Sequence, residues 1–175
     1  PAYGGSCFPK DTRALVATAK LFNTNLSIVR SVIKSNNNRH KLLVSRIEYL
    51  MNNKLKDKRI SFLGVTFKAG TDDMRESSIL KIIPPLIKKK AIINYYEPTG
   101  EKKELKSKRI KYNSNINDAC KYADLIIIHT EWNEFKQLNF KKLSKKKNFK
   151  VFDMRNLYSP IQMKRNKIKY FGLGR

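Results

Sequence analysis

The chain has 175 residues, 41% of them hydrophobic and 30% charged, enough for one full core or two small ones in a soluble globular protein. No apolar run approaches the ~20 residues a membrane helix needs, and the only cysteines, Cys7 and Cys120, stand far apart outside any CxxC pattern. That excludes a helical membrane span and a disulfide framework, and implies a reducing, cytoplasmic setting.

The net charge of +24 comes mostly from Lys, which accompanies abundant Asn and Ile. The Lys runs at 88–90 and 145–147 lie at the ends of apolar segments, without interleaved aromatic rings for bases to stack on. They read as solvated faces on a compositionally biased chain, and nucleic acid is not the expected partner. A positive field of this size would still concentrate anionic small molecules. No signal peptide is visible, and the lack of an initial Met leaves room for sequence upstream.

From Pro9 to about Asn53 the apolar spacing is helical. In "PAYGGSCFPKDTRALVATAK", Pro9 has the fixed φ of a first helical position and Asp11 falls in the first turn. Cys7 therefore stands just before a helix N-terminus with Lys10 one turn away, an arrangement that favours the nucleophilic thiolate. A free cysteine is ordinarily a small buried hydrophobe. These surroundings mark Cys7 as reactive instead. A break is expected at Asn23–Asn25, then a long amphipathic helix through Ile28, Val32, Leu43, Ile47 and Leu50, with Asn36–Asn38 as a weak point. Its apolar stripe suits packing on another chain or domain.

After the polar joint "KLKDKR" the period changes. "RISFLGV" (59–65), "AIINYY" (91–96), "DLIIIH" (124–129) and "KVFDM" (150–154) read as strands buried on both faces, and "KYFGLG" as a last edge strand. Helix-length segments lie between them: Ser77 to Lys89, a short one near Glu101–Leu105, Asn117 to Tyr122, and Phe135 to Leu143. The alternation predicts an α/β fold with a parallel sheet and right-handed crossovers. Pro84 and Pro85 predict a kink or an early helix end.

Ligands of such sheets bind beyond the carboxyl ends of the strands. There "TFKAGTDDMRESS" forms a loop leading to a helix capped by Ser77 or Ser78, and "HTEWNEF" and "DMRNLY" follow two further strands. Three such ends facing one crevice would form an anion site with Lys68 and Arg155 as its cations. The loop is neither a Walker A sequence nor GxGxxG. His40 and His129 have no partners at metal-ligand spacing, so no metal is expected. Cys120, Trp132 and Phe135 read as packing residues.

In order and at matching spacing, "YGGSCFPKDTRAL", "LGVTFKAGTDDMRESS", "YYEP", "TEWNEF" and "VFDMRNLY" resemble the UDP-glucose 6-dehydrogenase family, over essentially the whole chain. The resemblance implies a Rossmann-like UDP-sugar-binding domain over 57–175, preceded over 1–56 by the cysteine loop and a central dimerisation helix. It implies oxidation of the C6 alcohol of UDP-glucose to a carboxylate with two NAD⁺ and one water. Cys7 would be the nucleophile, forming a thiohemiacetal and then a thioester, and Asp11 would help to place the water and proton. By the same resemblance Lys10 and Arg75 contact NAD, Gly4 and Lys68 contact the substrate, and Arg155 reaches the substrate from the UDP-binding domain. The family's NAD-binding domain, with its GxGxxG turn, is missing from this sequence, so that half is expected in cis or in trans. Relatives acting on GDP-mannose or UDP-N-acetyl sugars remain open, as does a non-catalytic dimeric module binding UDP-sugar or nucleic acid. The placement of Cys7 argues against the latter.

Overall fold

The computed structural model describes residues 1–174. Two helices lead, α1 (Phe8–Leu21) and α2 (Ser27–Leu50), with Asn23 at φ 51° in the turn between them. The Asn36–Asn38 stretch does not interrupt α2. Asn36 instead turns its amide outwards, accepting from the Tyr3 N–H at 2.9 Å and donating to the Tyr3 carbonyl at 3.2 Å. A residue of low helix propensity is thus used to moor the chain ahead of Cys7.

Beyond α2 lie six strands: β1 (Arg59–Leu63), β2 (Ile92–Tyr96), β3 (Ile110–Tyr112), β4 (Leu125–Ile128), β5 (Lys150–Asp153) and β6 (Lys169–Gly172). All pair in parallel, in the order β3-β2-β1-β4-β5-β6. This is the doubly wound Rossmann order, whose strand sequence reverses between β1 and β4. Strand alternation sorts the side chains into two cores. Ile60, Phe62, Ile93, Tyr95, Leu125 and Ile127 join the C-terminal half of α2 and the helix α3 (Ile79–Lys88) on one face. Leu63, Ile126, Ile128 and Val151 face α4 (Ile116–Cys120), α5 (Phe140–Leu143) and α6 (Pro160–Arg165) on the other.

Three elements differ from the sequence reading. The edge strand β3 has only three residues, too short for its alternation to register. The segment expected as one helix from Phe135 to Leu143 is a 3₁₀ turn at Asn133–Phe135 followed by the single-turn α5. The helix α3 runs through Pro84 and Pro85 to Lys88. The prolines cannot donate to the carbonyls one turn back, but Ile79, Ile82, Ile83 and Leu86 are all buried, and that packing holds the helix.

Candidate functional site

The site grows from the carboxyl end of β1. The chain leaves the strand through Gly64 and is fixed there by Glu97, a fully buried side chain just after β2. One Glu97 oxygen accepts from the Val65 N–H at 2.7 Å and the Thr66 N–H at 3.2 Å, and the other accepts from the Thr99 hydroxyl at 3.2 Å. Two N–H groups without a sheet partner are thereby satisfied. The loop then closes on itself. Asp73 accepts from the Arg75 N–H at 2.8 Å and forms a forked pair with its guanidinium at 2.9–3.1 Å. That guanidinium holds the Asp73 carboxyl below its ordinary pKa. Ser77 and Ser78, expected to cap α3, make no such cap. Ser77 donates to the Val65 carbonyl at 2.7 Å, and Ser78 meets His129 Nε2 at 2.6 Å. Both hydroxyls stitch strand ends together instead.

The segment ahead of α1 docks on this loop. The Gly5 N–H donates to the Arg75 carbonyl at 3.0 Å. Gly4 passes so close that a Cβ would lie 2.3 Å from the Glu76 carbonyl oxygen, so no other residue fits there. Glu76 itself adopts φ 53° and pairs with Arg13 of α1 at 3.0 Å. Cys7 then emerges exposed at the start of α1, with Ser6 Oγ 3.6 Å from its sulfur. Asp11 is exposed in the first turn, and Lys10 pairs with it at 3.4 Å. The Arg75 guanidinium is held by Asp73, whose carboxylate raises its pKa further.

The end of β4 lies next to β1, and that of β5 one strand beyond. Arg155 forms an ion pair with Glu131 at 2.5 Å, and its loop is set by the fully buried Asp153. That carboxylate accepts from the N–H groups of Arg155 and Tyr158 at 2.9 and 3.1 Å and from the Tyr170 hydroxyl at 2.9 Å. His129 is fully buried, and burial pushes its pKa well down, so it is neutral. Lys68 stands exposed on the β1 loop with its ammonium 5.4 Å from the Phe67 ring centre. The structure therefore docks segment 4–7 on the β1 loop, through Gly4 against Glu76 and Gly5 on the Arg75 carbonyl, and sets Arg155 just after β5, two strands from β1. Among the described residues no contact links Lys68 to Arg155.

Comparison with known proteins gives this arrangement its family. The model of the UDP-glucose/GDP-mannose dehydrogenase family UDP binding domain matches residues 61–160, and that of the central domain matches residues 1–38. The chain belongs to the UDP-glucose/GDP-mannose dehydrogenase family. It is 39% identical to a UDP-glucose 6-dehydrogenase of Rickettsia prowazekii over 99% of this chain and 41% of that relative. To the UDP-glucose 6-dehydrogenase of Rhizobium meliloti it is 34% identical, over 100% of this chain and 40% of the relative. Among solved structures, a UDP-glucose dehydrogenase from Pyrobaculum islandicum superposes with a TM-score of 0.80 at 25% identity, covering 97% of this chain and 37% of that one. The chain thus spans about two fifths of the length of these family members. No described helix is long and apolar enough to cross a membrane.

Sequence reasoning did not find Glu97, Asp153, Glu76 and Glu131, the acids that shape this family's loops here. For Glu97 and Asp153 a signal existed: each carboxylate ends a run of strand residues, where a polar side chain is either solvated or turned inward onto loop N–H groups. The two thiols differ sharply. Cys120 is fully buried, and burial raises its pKa to about 12. Iodoacetamide added to the native chain is expected to modify Cys7 alone, with Cys120 reacting only after unfolding. Peptide mass spectrometry reads the outcome, and equal native labelling of both would contradict the site geometry.

Proposed function

We propose that this chain supplies the nucleophile and the UDP-sugar pocket of an NAD-dependent UDP-glucose 6-dehydrogenase. The observation that carries the reading is the exposed Cys7, tied through Gly4 and Gly5 to the loop of the UDP binding domain. In this reading residues 1–56 bear the nucleophile and a dimerisation helix, and residues 57–175 bear the UDP site.

The Cys7 sulfur adds to the C6 aldehyde of the half-oxidised sugar, forming the S–C bond while the carbonyl oxygen gains a proton. The thioester present after oxidation is opened by water, which releases the carboxylate and returns the thiol. Asp11, in the first turn of α1, is the residue that orients the water. NAD⁺, when bound, accepts the hydride of each oxidation. The fit of this chain to the dinucleotide is partial: Lys10 and Arg75 are exposed cations near Cys7, suited to an edge contact with its phosphates. The sequence holds no GxGxxG turn to cradle a pyrophosphate, so the main dinucleotide site belongs to another domain. Exposed apolar side chains along α1 and α2, including Leu15, Leu21, Phe22, Ile28 and Leu42, support a second copy as the partner of these helices.

The test is calorimetric titration of the chain with UDP and UDP-glucose. Saturable one-to-one binding is expected, and Lys68→Ala or Arg155→Ala should each cost about 1.5–3 kcal/mol, the worth of a hydrogen bond to a charged group. Removing Lys164 and Arg165, exposed cations on α6, should leave the affinity unchanged. Equal losses from the two pairs would reduce the binding to attraction by net charge and remove the pocket.

A further inference from the structure

The opposite side of the chemistry-bearing loops leaves one polar feature unused. On the face of the sheet carrying α4, the register places Ser61 opposite Asn94 and Asn94 opposite Lys111, three polar residues in a row across β1, β2 and β3. Ser61 is used by α4, since its hydroxyl donates to the Ala119 carbonyl. The helix has only five residues and packs over β1 and β2, which leaves the Asn94 and Lys111 end of the row on a cavity. A cavity of about 420 Å³ opens there, with Asn94 and Lys111 in its lining.

Asn94 is only 8% exposed, and what it exposes opens into this cavity. An amide facing a cavity offers both a donor and an acceptor to whatever enters it. Cations outnumber acids in the rest of the lining. Arg59, Lys111 and Lys121 border the cavity, and none has a carboxylate at ion-pair distance among the described residues. Arg59 and Lys121 stand 5.8 Å from the centre of the Tyr122 ring, and Lys145 stands 6.0 Å from it. Three cations around one half-exposed ring repel one another, and the ring quadrupole offsets only part of that cost. An anion between them would relieve the repulsion and receive charge-assisted hydrogen bonds.

We propose that this cavity is a second ligand site, distinct from the strand-end crevice, and that it takes a mononucleotide. The phosphate lies among Arg59, Lys111 and Lys121, the base stacks on Tyr122, and the Asn94 amide meets a polar edge of the ligand. Asp118, the acid in the lining, presents a carboxylate to ribose hydroxyls. The volume suits one nucleotide. A polymer is disfavoured, because a nucleic-acid strand needs successive ring platforms. Tyr112, the other ring in the lining, packs on Tyr95 with ring centres 5.4 Å apart. This site uses none of the residues assigned to UDP-sugar, so it stands or falls independently of that assignment.

The test titrates the chain with AMP and with inorganic pyrophosphate, followed by calorimetry and by the NMR signals of the Asn94 side-chain amide. AMP should bind one-to-one and shift those signals to saturation. The paired substitution Arg59→Ala with Lys121→Ala should weaken AMP by roughly tenfold or more. Tyr122→Leu should weaken AMP several-fold and leave pyrophosphate unaffected, which separates ring stacking from charge. All three residues are exposed, so melting temperatures of the variants should match the parent. Four results would overturn the proposal: no saturable AMP binding, equal loss from Lys164→Ala with Arg165→Ala, loss of AMP binding in Lys68→Ala or Arg155→Ala, or affinity for oligo(dA) that keeps rising with length.

Discussion

A full-length enzyme carrying Cys7→Ser is expected to lose steady NADH production by a factor on the order of 10⁴, as when a covalent nucleophile is removed elsewhere. Its affinity for UDP-glucose should stay within about twofold, because Lys68 and Arg155, the substrate cations of the proposed function, are untouched. Folding should not change either, since the Cys7 side chain is exposed, with Ser6 Oγ 3.6 Å from its sulfur. Serine keeps the size and the polar atom but offers an alcohol where the reaction needs a thiolate. Loss of turnover with retained binding is therefore the signature of a nucleophile. Parallel loss of both would instead assign Cys7 to the architecture of the pocket, and substantial turnover by the serine variant would remove it from the chemistry.

The contrast between Cys7 and Cys120 shows how much of this site was legible in the sequence. Proline and aspartate after Cys7 announce a helix start, so its position could be read locally, and α1 does begin at Phe8. Strands β1, β2, β4 and β5 were legible for a similar reason: each is a continuous apolar run, and strands buried on both faces leave no other pattern. What local reading missed was set by partners far away in sequence. Lys10 is one turn from Cys7, yet its ammonium pairs with Asp11, and the carbonyl that holds the cysteine segment comes from Arg75, far along the chain. Ser77 and Ser78 precede a helix as caps do, but Val65 and His129, brought in by neighbouring strand ends, compete for their hydroxyls. The rings and charges around Tyr122 show the same effect. Arg59, Lys121 and Lys145 come from three separate segments, so no window of sequence contains their cluster.

Gly64→Ala is expected to be among the most destabilising single substitutions in the chain. Gly64 leaves β1 at φ 78°, a conformation an L side chain adopts at a cost of about 1–2 kcal/mol. The larger penalty is steric. A Cβ there would lie 1.5 Å from Thr130 Oγ1, 2.8 Å from Thr130 Cβ and 3.2 Å from the Thr130 nitrogen. Thr130 is fully buried at the end of β4 and has no open space into which to turn. Together these effects should exceed about 4 kcal/mol, at the far end of what point substitutions do. For a chain of this length that is a fall in melting temperature of roughly 10 °C or more. The consequence reaches the site, because this contact sets how closely the β1 loop approaches Glu131 and Arg155. A second variant separates the two causes. Among the described residues Thr130 Oγ1 has no hydrogen-bond partner, so Thr130→Gly gives up packing and backbone rigidity without orphaning another polar group. Combined with Gly64→Ala it removes the overlaps with Oγ1 and Cβ and should recover part of the lost stability, leaving the positive-φ cost and the close backbone nitrogen. Thermal unfolding of the three variants measures this directly. If Gly64→Ala melts within two degrees of the parent, or if the double variant melts below both singles, the close approach of β1 to β4 is not what holds these strand ends together.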